Sequence, residues 1–157
     1  TDPEIPVVTL RELGILRDVT ETAEGVEVVI TPTYTGCPAM GQIEDDVKAC
    51  LTQAGIAARV VTRLAPAWTT DWISEQGRQR LREYGIAPPG PVAAGEGVPV
   101  RLHRRASASA PAASADPSCP RCDSPRTERL SAFGSTACKS LWRCLACREP
   151  FEHFKPI

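Results

Sequence analysis

Aromatic residues are scarce in this chain, at 5% of 157 residues, so no large aromatic-rich core can be built. No apolar run approaches the roughly 20 residues needed to cross a bilayer, and no signal-peptide pattern opens the sequence. A catalytic serine–histidine–aspartate set, a phosphate loop and a pair of catalytic carboxylates are all missing, which argues against an independent enzyme. The two histidines, His103 and His153, lack the companions that ligands would need. Net charge is nearly absent at −1, but the halves differ. Residues 1–87 hold 8 basic and 13 acidic side chains, a balance of −5; residues 88–157 hold 10 and 6, a balance of +4. The chain starts at Thr1 rather than Met, so its start is read as trimmed, with an N-terminal element outside it.

Cysteine, by contrast, is plentiful. Seven cysteines, an odd number, with two Cys-x-x-Cys pairs suit metal ligation in a reducing cytosol better than a disulfide framework. Cys119-Pro-Arg-Cys122 and Cys144-Leu-Ala-Cys147 stand 21 residues apart. Two intervening residues let both thiolates of a pair turn onto one ion, and two such knuckles complete a tetrahedron. A closed four-thiolate site is structural, and zinc is the first choice; iron also takes four cysteines. A piece this small has too little core to stay folded without metal. Cys138 lies between the pairs and reads as a buried free thiol, an alternative ligand, or a site for transient iron or cluster binding.

Composition divides the chain into a patterned segment at 1–87, a linker at 88–118 and a cysteine-rich module at 119–157. The linker, with Pro88-Pro89-Gly90-Pro91 and Ala106 to Pro117, cannot bury enough apolar surface to fold alone. Its basic stretch, Arg101 to Arg105, reads as solvated. The first segment predicts a hairpin of Leu16–Thr22 and Val26–Tyr34 turning at Ala23-Glu24-Gly25. A helix from Met40 to Ala54 follows, with Ile43, Val47, Cys50, Leu51 and Ala54 on one face. Cys50 is therefore expected in the core. Glu44, Asp45 and Asp46 fall in the early turns, where acids suit the positive end of the dipole. A strand at Ala58–Leu64 and a helix at Ser74–Tyr84 complete an α+β order, a small sheet covered by helices.

Cys37 lies after a strand and just before a helix, where free N–H groups favour thiolate. It reads either as a reactive or metal-binding cysteine or as a small apolar residue packed at a corner. Asp2-Pro-Glu-Ile-Pro is held extended by its prolines and could cap or ligate; locally it reads as a turn with solvated acids.

Together, Asp2-Pro-Glu-Ile-Pro6, Leu13-Gly-Ile-Leu-Arg-Asp-Val19 and Thr35-Gly-Cys-Pro38 resemble the MIP18-like family, domain of unknown function 59. Trp72-Ile-Ser, Tyr84-Gly-Ile-Ala-Pro-Pro89, Phe133-Gly-Ser-Thr-Ala-Cys-Lys139 and Glu149-Pro-Phe151 narrow the resemblance to the D proteins of bacterial phenylacetyl-CoA epoxidase systems. It covers nearly the whole chain except the linker, which is longer than the family pattern. A helix that usually precedes the Asp-Pro-Glu motif is absent.

The resemblance implies a compact sheet-and-helix domain followed by a zinc-ribbon-like module. It maps the family cysteine onto Cys37 and the acidic motif onto Asp2 and Glu4, and it draws Cys138 into the tail motif. It implies a role in maturing an iron–sulfur or diiron centre, with transient iron or a cluster as cargo. The implied partners are oxygenase or reductase components of the epoxidase, or iron–sulfur assembly proteins. A non-catalytic docking or regulatory subunit is the second reading. A nucleic-acid-binding ribbon is the third, resting on Arg121, Arg126, Arg129, Lys139, Arg143 and Arg148 with Phe133 or Trp142 to stack on bases.

Overall fold

The structure, a computed structural model, describes residues 1–90 and 116–157. His103, the stretch Arg101 to Arg105 and nearly all of the expected linker lie outside the described residues. Among the described residues, seven strands and two α-helices run in the order β1 (Leu16–Thr22), β2 (Gly25–Ile30), α1 (Met40–Gln53), β3 (Ala58–Thr62), α2 (Glu75–Tyr84), β4 (Ile86–Ala87), β5 (Thr127–Ser131), β6 (Lys139–Cys144) and β7 (Pro150–Phe154).

β1 and β2 pair antiparallel, with Thr22 opposite Gly25 across the turn. Gly25 has φ +134°, and a Cβ there would lie 2.3 Å from the Ala57 carbonyl oxygen, so the turn needs glycine. β3 joins β2 in parallel through α1. Alternation places Val26, Val28 and Ile30 against one core. The strand stops at Ile30, however, not at Tyr34. Pro32 has no N–H to extend the ladder, and the chain turns through Thr31 to Thr33, which are buried.

α1 differs from its expected form in two ways. Ile43 is buried, while Val47 and Leu51 are only partly covered, and Cys50 is exposed rather than in the core. The helix lies at the rim of the sheet, so its buried stripe is narrow. No acidic group falls in its first turn and no side chain caps it. Glu44 instead accepts a hydrogen bond from the Thr62 hydroxyl at 2.6 Å and faces Lys48 at 3.8 Å.

α2 has the start and stop its sequence suggests: the Ser74 hydroxyl accepts from the Gly77 N–H, and Gly85 closes it in the left-handed region. It buries Leu81 in the main core, and β4 is the element beside it. A reciprocal cap precedes β1. Glu12 Oε2 accepts from the Thr9 N–H at 2.8 Å, and Thr9 Oγ1 accepts from the Glu12 N–H at 3.1 Å. The Glu12 carboxyl is held below its ordinary range, first by the Thr9 N–H, with Arg80 at 3.3 Å adding to it. The following Gly14 has φ +70°, where a Cβ would meet the Trp72 carbonyl oxygen at 2.8 Å.

The cysteine-poor and cysteine-rich segments share one structure. β4, from the first segment, pairs in parallel with β7, so the second sheet runs β4-β7-β6-β5. Phe154 of β7 is buried in the core of the first segment, its ring 5.8 Å from that of Trp68. Trp68 in turn donates to the Leu13 carbonyl at 2.9 Å, and the Thr70 N–H donates to the Ile157 carbonyl at 3.0 Å. A second cluster joins Ala87 to Cys119, Trp142, Cys144 and Phe151.

Within the second sheet, His153 is buried and edge-on to Trp142. Burial pushes its pKa down to about 4. The unfolded chain therefore takes up a proton near pH 6.5 that the fold refuses until about pH 4. Stability is full above pH 6.5 and falls as pH drops toward 4, by up to about 3 kcal/mol. Urea midpoints should drop less between pH 7 and 5 in His153→Gln than in the wild type. Equal drops would show that the ring titrates freely in the fold.

Candidate metal centre and a second thiol cluster

The two Cys-x-x-Cys pairs meet. Their four sulfurs lie within 4.8 Å of one another, the only such set of three or more metal-binding side chains among the described residues. Cys119 Sγ is 3.7 Å from Cys147 Sγ, and Cys122 Sγ is 3.6 Å from Cys144 Sγ. Those separations are far too long for disulfides. A tetrahedral ion with metal–sulfur bonds typical of zinc needs sulfur–sulfur edges of about 3.8 Å, so the cage fits such an ion.

Each pair forms a knuckle. Asp123 (φ 59°) and Arg148 (φ 67°), the residues after Cys122 and Cys147, take left-handed backbone and fold the chain back. The Asp123 N–H donates to the Cys119 carbonyl at 3.0 Å, and the Cys144 N–H donates to the Glu149 carbonyl at 3.0 Å. The N–H groups of Ala146 and Cys147 point at Cys144 Sγ from 3.4 and 3.5 Å.

These donors, Cys147 first, lower Cys144 to about 6. Cys147 is pushed up to about 12: the Glu149 N–H lowers it, but burial and the Cys144, Cys122 and Cys119 sulfurs outweigh that. Four thiolates this close cannot ionise together without a cation between them. Cys119 and Cys144 are buried, Cys122 and Cys147 exposed, and the donor set leaves no fifth position. The arrangement is a structural metal site.

The remaining site residues lie away from this cage. Asp2 is buried and its Oδ1 accepts from the N–H groups of Glu4 and Ile5, each at 2.9 Å. It is not a solvated acid; it folds the turn that carries Glu4. Cys37 is half-buried on the turn before α1, with its N–H donating to the Tyr34 carbonyl at 3.2 Å. Its pKa lies above the ordinary thiol value, against the expectation of an easily formed thiolate. Burial is the main cause. The Ala39 N–H opposes it, while Glu4, Asp2 and Cys138 add to it. α1 begins only at Met40, so its dipole end does not outweigh two carboxylates and a covered sulfur.

Cys138 is buried in the main core, although it comes from the ribbon. Its sulfur lies 3.0 Å from the Thr136 hydroxyl, and its carbonyl accepts from the Lys155 N–H at 3.0 Å. Burial raises its pKa, partly offset by Thr136 and Lys139, and Glu4 raises it further. Lys139 is itself buried, 2.7 Å from Glu152. Tyr34 responds to the same set: burial raises its pKa, followed by Cys37, Cys138 and Glu4. The fold thus brings Glu4, Tyr34, Cys37 and Cys138 within electrostatic reach of one another.

The surface offered for nucleic acid is diminished. Trp142 is buried and cannot stack on a base. Lys139 is buried in its ion pair, and Arg143 pairs with Glu128. Phe133 remains exposed, with the Lys155 ammonium 4.2 Å from its ring centre.

Residues 1–62 match the family described as iron-sulfur cluster assembly protein, and residues 103–155 match the PaaD zinc beta ribbon domain. The protein is therefore an assembly-type domain carrying a zinc beta ribbon. A crystal structure of domain of unknown function DUF59 from Bacillus anthracis is 31% identical and covers 51% of this chain and 78% of its own, with a TM-score of 0.47. A protein of Escherichia coli (strain K12), named as the D component of a "Putative 1,2-phenylacetyl-CoA epoxidase", is 45% identical over 99% of this chain and 86% of its own length. The chain belongs to the family of that D component.

Proposed function

We propose that this protein is an accessory factor of a bacterial phenylacetyl-CoA epoxidase, with no catalytic step of its own, and that it assists assembly of an iron–sulfur or diiron centre. The observation that carries the reading is the full-length likeness to the D component of an epoxidase, combined with an N-terminal half of the iron–sulfur assembly type. Zinc is the metal proposed for the four-cysteine cage, where it holds the ribbon together. Iron or a cluster is the cargo, and Cys37 is the residue proposed to hold it or to meet the client. Asp2 shapes the turn that presents Glu4 beside it. The proposed partners are oxygenase or reductase components of the epoxidase, or iron–sulfur assembly proteins, met in the cytoplasm.

Among the described residues no helix is long and apolar enough to cross a membrane. The thiol at Cys37 is neutral at rest, so taking up a metal ion releases a proton and the bond is readily reversed. That suits a carrier better than a permanent site.

The test is co-production of the epoxidase components with wild-type protein or with Cys37→Ser, followed by iron analysis of the purified clients. The variant should fold and carry its ribbon metal, yet leave the clients with markedly less iron and lower epoxidase activity. Full iron loading with Cys37→Ser, alongside unchanged co-purification, would replace this reading with that of a docking subunit.

A further inference from the structure

The motif Phe133-Gly-Ser-Thr-Ala-Cys-Lys139 joins β5 to β6, and its two ends have opposite surroundings. Cys138 is buried in the core of the first segment, whereas Phe133 is 63% exposed, more than any other large apolar side chain among the described residues. The ring belongs to neither core cluster; its contact is the Lys155 ammonium, 4.2 Å from its centre. Leu130, which the bulge of β5 leaves unpaired, is also exposed, three positions earlier. In a chain this poor in aromatic residues, a phenylalanine set in solvent adds nothing to the stability of the fold.

Hydrogen bonds fix the loop that carries the ring. The Phe133 N–H donates to the Ser131 hydroxyl at 3.1 Å, and the Gly134 N–H to the Lys139 carbonyl at 2.8 Å. The Ser135 N–H donates to Glu152, whose carboxylate is paired with buried Lys139 at 2.7 Å. A Cβ at Gly134 would stand 2.5 Å from Glu152 Oε1, so the motif needs glycine there. The Lys155 ammonium donates to the Ala137 carbonyl at 2.6 Å. A ring presented from a loop fixed in advance costs little ordering when a partner buries it. A few such side chains carry most of the energy of a protein interface.

We propose that Phe133, with Leu130 on the same hairpin, anchors a client component of the epoxidase through an apolar socket on that client rimmed by carboxylates. The proposal rests on the accessory reading and names the surface on which the client is met. Charge sets the rim. Among the described residues no carboxylate pairs with Lys155, or with Arg129, which is exposed on β5. Both cations are left for a partner to neutralise. Side chains rather than backbone make the contact: β5 is an edge strand, but its bulge disrupts the ladder that an added strand would extend. A second copy of this chain fits poorly, because a two-fold contact about Phe133 brings the Lys155 ammonium groups of both copies together. A nucleic acid fits poorly too. The ammonium covers one face of the ring on which a base would stack, and Trp142 is buried.

The experiment measures binding of the full chain, with its ribbon metal in place, to each purified epoxidase component at low and high salt. Wild type should bind one component, and less tightly as salt rises. Phe133→Ala should weaken that binding by about thirtyfold or more, the loss that marks a binding hot spot. Its urea midpoint and ribbon metal should stay those of wild type, because the ring is exposed. Lys155→Gln should lessen the salt dependence. Binding by Phe133→Ala equal to wild type would overturn the anchor, and so would wild type that binds no component. A single-stranded oligonucleotide held by wild type and lost by Phe133→Ala would overturn it in favour of nucleic acid. A wild-type dimer in sedimentation that Phe133→Ala makes monomeric would overturn it in favour of a second copy. The accessory reading fails separately, if epoxidase components produced without this protein are fully loaded with iron and fully active.

Discussion

Replacing Cys144 with serine should unfold the first domain together with the ribbon. Cys144 is fully buried, ends β6, and holds two backbone N–H groups on its sulfur. Apparent binding energies of structural zinc run to about 10–16 kcal/mol, whereas whole domains are stable by only about 5–15 kcal/mol. Loss of one ligand from the cage therefore threatens the entire margin. What makes the effect global is the seam. β7 pairs on one side with β6 and on the other with β4, and Phe154 lies in the first core. When the ribbon lets go, the first segment loses the partner of β4 and the cover of Trp68.

The expected result is a protein with one broad, non-cooperative transition and poorly dispersed amide resonances throughout. Val28, Ile43 and Leu81, all far from the cage in sequence, should lose their dispersed signals as fully as Thr127 and Phe151. A chelator applied in mild urea to wild type should give the same outcome. Sharp wild-type-like resonances for Val28, Ile43 and Leu81 in Cys144→Ser would mean that the two halves fold independently and that the seam is incidental.

The cage is the most legible part of the sequence, because two residues between cysteines fix where both sulfurs can point regardless of the surrounding fold. The elements of the first half are legible for a similar reason: β2 alternates and α2 carries both its cap and its stop. Where local pattern misleads, tertiary position decides. Cys50 falls at helical spacing from Ile43 and Val47, but α1 sits at the rim of the sheet, and spacing does not report how much of a stripe is covered. Cys37 stands before a helix, yet the fold half-buries it, and that burial, with the charges of Glu4 and Asp2 adding to it, outweighs the helix end. No local pattern places Cys138 in the core of the first segment. That burial depends on β4, two residues long, finding β7 across the whole ribbon. The Thr9-x-x-Glu12 cap is readable in principle, since a threonine followed three residues later by glutamate is its signature.

The same seam fixes Cys138, which directly precedes β6 and is buried in the core that the first segment forms with Phe154, while the far end of β6 carries Cys144 of the cage.

Phe154→Ala should cost about 3–5 kcal/mol, as large aromatic truncations in cores do. The side chain is 1% exposed, among the largest that are fully buried, and its ring lies tilted against Trp68 at 5.8 Å. Its removal leaves a cavity between β7 and the Trp68 ring. The ribbon's own cluster of Cys119, Trp142, Cys144 and Phe151 does not include Phe154, so the cage should keep its metal. Two readouts separate loss of the seam from loss of the ribbon. The urea midpoint should fall sharply while the metal content of the folded protein stays that of wild type. Trp68 emission should shift to longer wavelength, judged against a Trp72→Phe, Trp142→Phe background in which Trp68 is the sole tryptophan. If the cost were below about 1 kcal/mol, Phe154 would be filling a site able to collapse, and the seam between the ribbon and the first segment would lose its main support. If metal were lost together with stability, the seam and the cage would be one cooperative unit under this variant too. The core of the first segment would then depend on the ribbon's metal for its shape.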